Sequence, residues 1–257
     1  MTIGIIGFGN MGQAMAQGLL SKGVSAGDIR AAALRQDKLK AACDSFGILP
    51  TNNKQAARES DIVILAVKPW QIQDVLLGIR EELANKMVVS VAAGIPFASL
   101  KEMLPDSARA VCCIPNTPVA VGRGVLICEN KHSLREEDLA RFHDLFGRLG
   151  EIVLLDAKQL SAANAIAGCG PAFAAMFLEA LGDAGVKYGV KRETAYRLAA
   201  LMLEGTAALH LETGLHPGAM KDAVCSPGGS TIRGVSALEK NGFRSAVISA
   251  VDAVENK

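Results

Sequence analysis

Apolar residues in the first part of the chain fall into two alternating spacings. Ile3–Ile6, Asp61–Val67 and Met87–Ala93 are short, nearly unbroken apolar runs, the pattern of strands buried on both faces of a parallel sheet. Ile29–Leu34, Arg109–Ile114, Gly124–Cys128 and Glu151–Leu155 read as further strands. Between them the spacing lengthens to three and four. Gln13–Leu20 is helical, and Ile72, Val75, Leu76, Ile79 and Leu83 mark another helix. Ser133 and Glu136 form a capping-box pattern ahead of a helix carrying Leu139, Phe142, Leu145, Phe146 and Leu149. After Leu155 strand signals stop, and helices are expected over Ala157–Ala167, Pro171–Tyr188, Arg192–Glu212, Pro217–Val224, Thr231–Lys240 and Phe243–Glu255. The pattern predicts an α/β domain over residues 1–155 and an all-α domain over residues 156–257.

One segment resembles a membrane span in length: Gln159–Leu178 has roughly 20 residues without a charge. Asn164 and the interruption Gly168-Cys169-Gly170-Pro171 argue instead for two buried helices meeting at a break. Its many small residues allow close helix approach and make it a candidate subunit interface; no membrane association is expected.

Gly7-Phe8-Gly9-Asn10-Met11-Gly12 fits G-x-G-x-x-G, with a strand before it and a helix after it. The first glycine permits a tight turn, the second lets the backbone approach a pyrophosphate, and the third lets helix and strand pack closely. The end of the next strand sets the cofactor's flavour. NAD sites usually carry Asp or Glu there; this chain reads Ala33-Leu34-Arg35-Gln36, and Arg35 can pair with a 2′-phosphate. NADP(H) is therefore expected in preference to NAD(H), which stays open. Ligands bind at the carboxyl ends of strands in such sheets. Ala66-Val67-Lys68-Pro69 and Ala92-Ala93-Gly94 lie at two such ends, and Asn116-Thr117-Pro118 at a third, where Asn116 is a candidate for shaping the nicotinamide pocket. Lys68 is a candidate contact to substrate or phosphate.

The net charge of +1, with one Trp and two Tyr, offers neither a basic surface nor a stacking platform for nucleic acid. The cysteines Cys43, Cys112, Cys113, Cys128, Cys169 and Cys225 lack CxxC spacing, so no metal site is expected. They read as reduced thiols of a cytoplasmic protein.

A second glycine turn stands near the other end. Ser226-Pro227-Gly228-Gly229-Ser230-Thr231 opens a helix whose Ile232, Val235 and Leu238 share a face. Unpaired amides at a helix start favour an anion, and the hydroxyls of Ser230 and Thr231 stand beside them. A small carboxylate could be held on the amides of Gly228 to Thr231 without Arg or Lys.

With both turns in view, the chain resembles the pyrroline-5-carboxylate reductase family over essentially its whole length. The resemblance rests on Gly7–Gly12, Ala66-Val67-Lys68-Pro69, Ala92-Ala93-Gly94, Pro115-Asn116-Thr117-Pro118, Gly170-Pro171-Ala172-Phe173, and His216-Pro217-Gly218 through Ser226–Thr231, with Gly242-Phe243-Arg244 following. It implies a Rossmann-like NAD(P)-binding domain followed by an all-α C-terminal dimerisation domain. It also implies a homodimer or an assembly of dimers such as a decamer, and reduction of L-1-pyrroline-5-carboxylate to L-proline, the last step of proline biosynthesis. The family's nucleotide contacts map onto Ile6, Gly7, Phe8, Gly9, Asn10, Met11, Arg35, Asn53, Ala66, Val67, Lys68, Pro69, Ala92, Ala93 and Gly94. Its substrate loop maps onto Ser226, Gly228, Gly229, Ser230 and Thr231, with Thr231 as the proposed proton donor. Gly214 and Ala223 stand where some relatives have Glu and Asn, so contacts from those side chains are not carried over. The competing readings are a β-hydroxyacid dehydrogenase, which would need a glycine framework that Asp156-Ala157-Lys158-Gln159 lacks, and a non-catalytic NADP-sensing module.

Overall fold

The computed structural model describes residues 1–256 and divides into two compact units, Met1–Cys169 and Gly170 onward. The first unit is built on one eight-stranded sheet in the order β3-β2-β1-β4-β5-β6-β7-β8. Its strands are β1 (Ile3–Ile6), β2 (Ile29–Ala32), β3 (Leu49–Thr51), β4 (Ile62–Leu65), β5 (Met87–Ser90), β6 (Arg109–Pro115), β7 (Gly124–Glu129) and β8 (Gly150–Leu155). Every neighbouring pair is parallel except β6 and β7. Its helices are α1 (Asn10–Ser21), α2 (Gln36–Phe46), α3 (Asn53–Arg58), α4 (Ile72–Ile79), α5 (Phe97–Met103), α6 (Glu136–Phe146) and α7 (Leu160–Ala163).

The apolar runs are continuous because successive residues feed two different cores. Ile3, Ile5, Ile62, Ile64 and Val89 pack with Met15 and Leu19 of α1, Leu39 of α2 and Phe142 and Phe146 of α6. Ile6, Val63, Leu65 and Val88 point the other way, against Ala56 and Ala57 of α3, Leu76 of α4 and Leu100 of α5. Side chains alternate along a strand, so both faces are covered by helices and neither can be polar. The chain leaves β1 toward β2 and β3, then returns to place β4 on β1's other side. The carboxyl ends of β1 and β4 therefore flank the crevice where such sheets bind ligands.

Two expectations need correction here. The start of α6 does not use Ser133 and Glu136 as a capping box. The Ser133 hydroxyl accepts from the Ala110 amide at 2.8 Å, Glu136 is the first helical residue, and the Asp138 carboxylate accepts from the Arg135 amide at 3.2 Å. Asp138 is buried, and its oxygen lies 2.6 Å from Arg109 Nε in an ion pair. Asp138 thus serves both the cap and a strand-to-helix ion pair, which local spacing does not reveal. The second correction concerns Gln159–Leu178. Its expected burial is not met within the chain: Ile166 and Met176 are exposed. Asn164–Gly168 is a π-helical turn, so the interruption takes the form of a widened turn. Ala157–Lys187 is long and apolar enough to cross a membrane by length and composition alone.

The second unit contains α8 (Gly170–Lys187), α9 (Arg192–Thr213), α10 (Pro217–Ala223), α11 (Ser230–Lys240) and α12 (Phe243–Glu255). Helix α8 pairs with α9 through small residues. A Cβ on Gly182 would run into the Tyr196 ring, and one on Gly185 would lie 2.7 Å from the Ala195 methyl. Many large apolar side chains of this unit stay exposed, among them Met176, Leu198, Leu201, Leu211, Phe243 and Ile248.

All six cysteines are free. Burial pushes the Cys43 thiol up to about 11 and the Cys112 thiol up to about 12, and burial raises Cys113 well above the ordinary thiol range. Thiols so shifted hold almost no thiolate at neutral pH, and the thiolate is the nucleophile. A disulfide-exchange reagent at pH 8 should therefore modify at most the half-buried Cys169 and Cys225 in the native protein, and all six after denaturation. Fast native labelling of four or more thiols would contradict this burial.

Candidate active site

At the end of β1 the three glycines of the motif do three separable jobs. Gly7 has φ 102°, and a Cβ there would collide with the peptide joining Ala66 to Val67. Its own amide is spent on the sheet, donating to Ala32 O at 2.8 Å. Gly9 is the N-cap of α1, has no side-chain cap, and a Cβ on it would meet nothing within 4 Å. The helix N-terminus therefore opens beside free space, with its first amides unpaired among the described residues and no acidic side chain in the first turn. Gly12 faces inward, where a Cβ would strike the Gly7 carbonyl. Phe8 is buried edge-on against Phe46, ring centroids 6.1 Å apart, so it can offer a ligand only its backbone. Asn10 is exposed and Met11 half-buried.

The neighbouring strand ends frame that opening. Arg35 is the N-cap of α2, with its guanidinium largely exposed and 3.8 Å from Asp37. Asn53 begins α3, half-buried, while Asn52 before it supplies the cap by accepting from Gln55 N at 2.9 Å. Past β4, Ala66 N donates to Ile6 O at 2.7 Å, fixing the Ala66–Pro69 turn against β1. Lys68 is exposed and its side chain makes no ion pair to any described residue; its amide donates to Gln71 Oε1 at 3.2 Å. Past β5, Val91 N donates to Leu65 O at 3.0 Å, and Ala93 and Gly94 are exposed. Gly94 has φ 81° and open space where a Cβ would be. These ends meet the fit expected of a dinucleotide: a glycine cradle, bare helix amides, small residues and a cation beside β2.

Asn116, past the end of β6, is held by two hydrogen bonds of its side chain. Its side-chain oxygen accepts from Val125 N at 2.8 Å, and its side-chain nitrogen donates to Ala167 O at 2.9 Å. Both groups are committed inside the unit, so Asn116 ties β6 and β7 to the π-helical turn. Such a turn has carbonyls without their usual helical donors, and Asn116 satisfies one of them. This link, across 51 residues, had no local sequence signal.

In the second unit, Ser226–Gly229 is a type II turn: Gly229 N donates to Ser226 O at 3.0 Å, Pro227 occupies the second position and Gly228 has φ 68° at the third. Gly229 is then the N-cap of α11 and offers no side chain. The Gly229 amide closes the turn, so it is not available to a carboxylate as the sequence suggested; Gly228, Ser230 and Thr231 remain. Thr231 is not the helix cap. It stands in the first turn, exposed, with its hydroxyl unbonded to any described residue. No acidic residue shares that turn.

Two family models match the chain. Residues 2–94 match a family described as NADP oxidoreductase, coenzyme F420-dependent, and residues 157–257 match pyrroline-5-carboxylate reductase dimerisation. The chain is 45% identical to pyrroline-5-carboxylate reductase of Treponema pallidum, over 98% of each chain. It is 40% identical to the Escherichia coli enzyme of that name, over 97% of this chain and 94% of the relative. The chain belongs to the pyrroline-5-carboxylate reductase family. A crystal structure of Plasmodium falciparum pyrroline carboxylate reductase with NADP bound superposes with a TM-score of 0.87 at 31% identity, covering 99% of this chain and 95% of that one. A Mycobacterium tuberculosis 3-hydroxyisobutyrate dehydrogenase shares the fold alone, at 16% identity and a TM-score of 0.53. Within the reductase family, the dimerisation match coincides with the helices whose apolar side chains lie exposed.

Proposed function

We propose that the protein reduces L-1-pyrroline-5-carboxylate to L-proline with NADPH, as a cytoplasmic homo-oligomer joined through the helical unit. The observation that carries this reading is the bare, acid-free start of α11 behind the Ser226–Gly229 turn, in a chain that also carries a dinucleotide cradle.

The substrate carboxylate is held by the amides of Gly228, Ser230 and Thr231, helped by the helix dipole and by the Ser230 hydroxyl. Bound NADPH supplies the hydride that reduces the carbon–nitrogen double bond. A neutral imine is a poor electrophile, and a Thr hydroxyl is too weak an acid to protonate it efficiently near neutral pH. The imine therefore binds protonated, or takes its proton through water, and Thr231 accepts from the ring N–H and orients it. Ala92, Ala93 and Gly94 leave room for the nicotinamide end, and Gly9, Asn10 and Met11 present backbone amides to the pyrophosphate. Lys68 is placed to neutralise phosphate or substrate charge.

Arg35 carries the preference for NADPH. Removing a charge-assisted contact costs about 1.5–3 kcal/mol, so Arg35→Ala should weaken NADPH binding roughly tenfold or more and leave NADH nearly unchanged. Equal losses for both cofactors would remove the 2′-phosphate role. The exposed apolar residues of the helical unit support self-association, and six free thiols fit a reducing compartment. The assay that tests the function is NADPH oxidation by the purified protein with and without the imine. Imine-independent oxidation, or none, would return the β-hydroxyacid and sensor readings to the front.

A further inference from the structure

Two of the most exposed large apolar side chains of the first unit follow β2 and β4, the strands on either side of β1. Leu34, two residues past β2, is 89% exposed, and Trp70, five residues past β4, is 77% exposed. Neither belongs to the two cores, and Trp70 has no aromatic partner. Trp70 is not on a loose loop. Pro69 precedes it in a short 3-10 turn, Gln71 N donates to Lys68 O at 2.9 Å, and the Gln71 side chain accepts from the Lys68 amide at 3.2 Å. The indole is thus held outward by a locked turn. Only β1 separates β2 from β4, and two strand spacings amount to roughly 10 Å. A spacing of that size admits an aromatic ring between groups carried by the two ends.

We propose that Leu34 and Trp70 clasp the adenine ring of the cofactor, with the indole as its stacking face. The inference rests on the NADPH reading above. The chemistry of the cofactor supplies the connection. Adenine and the 2′-phosphate sit on adjacent carbons of one ribose, and Arg35 directly follows Leu34. A phosphate held by Arg35 therefore brings the base close to Leu34, beside the β1 glycine turn. Stacking on an aromatic side chain is favourable for any base, and the turn that carries the indole is already fixed.

Trp70 is the only Trp of the chain, so its fluorescence reports this site alone. The probe is 2′,5′-ADP, which carries adenine and the phosphate but no nicotinamide and does not absorb Trp emission. Titration should quench and blue-shift the emission, and nicotinamide mononucleotide, which lacks adenine, should not. By calorimetry Trp70→Ala should weaken 2′,5′-ADP binding roughly five- to hundredfold, the range of base–aromatic stacking, with Trp70→Phe restoring most of it. In turnover the KM for NADPH should rise more than kcat falls. If wild-type protein binds 2′,5′-ADP while its emission stays unchanged, or if Trp70→Ala binds it as tightly, the clasp is wrong although the cofactor reading stands. If wild-type protein binds neither 2′,5′-ADP nor NADPH, the cofactor reading itself is wrong.

Discussion

Gly7→Ala should abolish measurable NADPH binding and lower the melting temperature, whereas Gly9→Ala should lose cofactor affinity with little change in stability. The difference follows from what each added methyl meets. At Gly7 the backbone has φ 102°, a region L-residues rarely enter, and the methyl would strike the Ala66–Val67 peptide. Relief requires parting the ends of β1 and β4, which Ala66 N and Ile6 O hold together at 2.7 Å. Strain and overpacking together should cost about 3–4 kcal/mol, or roughly 6–16 °C in melting temperature for a chain of this size. At Gly9 nothing lies within 4 Å, and φ is −83°, so alanine fits the free protein. Its methyl instead occupies the space a pyrophosphate needs at the start of α1. Thermal melts and cofactor titrations on the two variants check this directly. Equal destabilisation by both, or normal NADPH affinity in Gly9→Ala, would contradict the assignment of that space to a ligand.

The second large effect is expected at α11. Thr231→Ala should reduce kcat/KM by about 1.5–3 kcal/mol, roughly tenfold to a few hundredfold, without abolishing turnover. Because Gly229 is the cap and Thr231 makes no hydrogen bond to the described residues, the substitution should leave the melting temperature nearly unchanged. A hydroxyl that orients an already protonated imine leaves the rate's dependence on imine protonation intact, so the pH profile of the variant should keep its shape. Thr231→Ser should recover much of the loss. Unchanged kcat/KM in Thr231→Ala would remove the residue from the reaction, and a complete loss of turnover would favour an essential proton donor over a positioning hydroxyl.

Much of this architecture was legible in the sequence because it is local. The runs at Ile3–Ile6, Asp61–Val67 and Met87–Ala93 read as doubly buried strands since their residues alternate between two cores. The helices after Leu155 fall close to their expected bounds, from α8 at Gly170–Lys187 to α12 at Phe243–Glu255. The short strand β3, Leu49–Thr51, carried no apolar run, because only Thr51 of its residues is buried. Helix α6 is capped by Asp138, which also pairs with Arg109 of β6, and not by the Ser133 and Glu136 pattern.

The candidate site divides in the same way. Gly7, Gly9 and Gly12 were readable from spacing, and the fold separates them into a close backbone approach, an open helix start and a packing contact. The Pro227-Gly228 pair was readable as a turn, but the spending of the Gly229 amide on that turn was not. The two hydrogen bonds of Asn116 depend on residues 9 and 51 positions away, beyond any local pattern. Trp70 is a lone Trp in the sequence, and its exposure and locked turn are properties of the fold alone.

Initial-rate oxidation of NADPH, followed at its nicotinamide absorbance with purified protein and L-1-pyrroline-5-carboxylate, tests the central claim most directly. Saturable oxidation that depends on the imine and yields L-proline in equal molar amount is expected. Tight NADPH binding with no imine-dependent oxidation, or oxidation without proline, would contradict it.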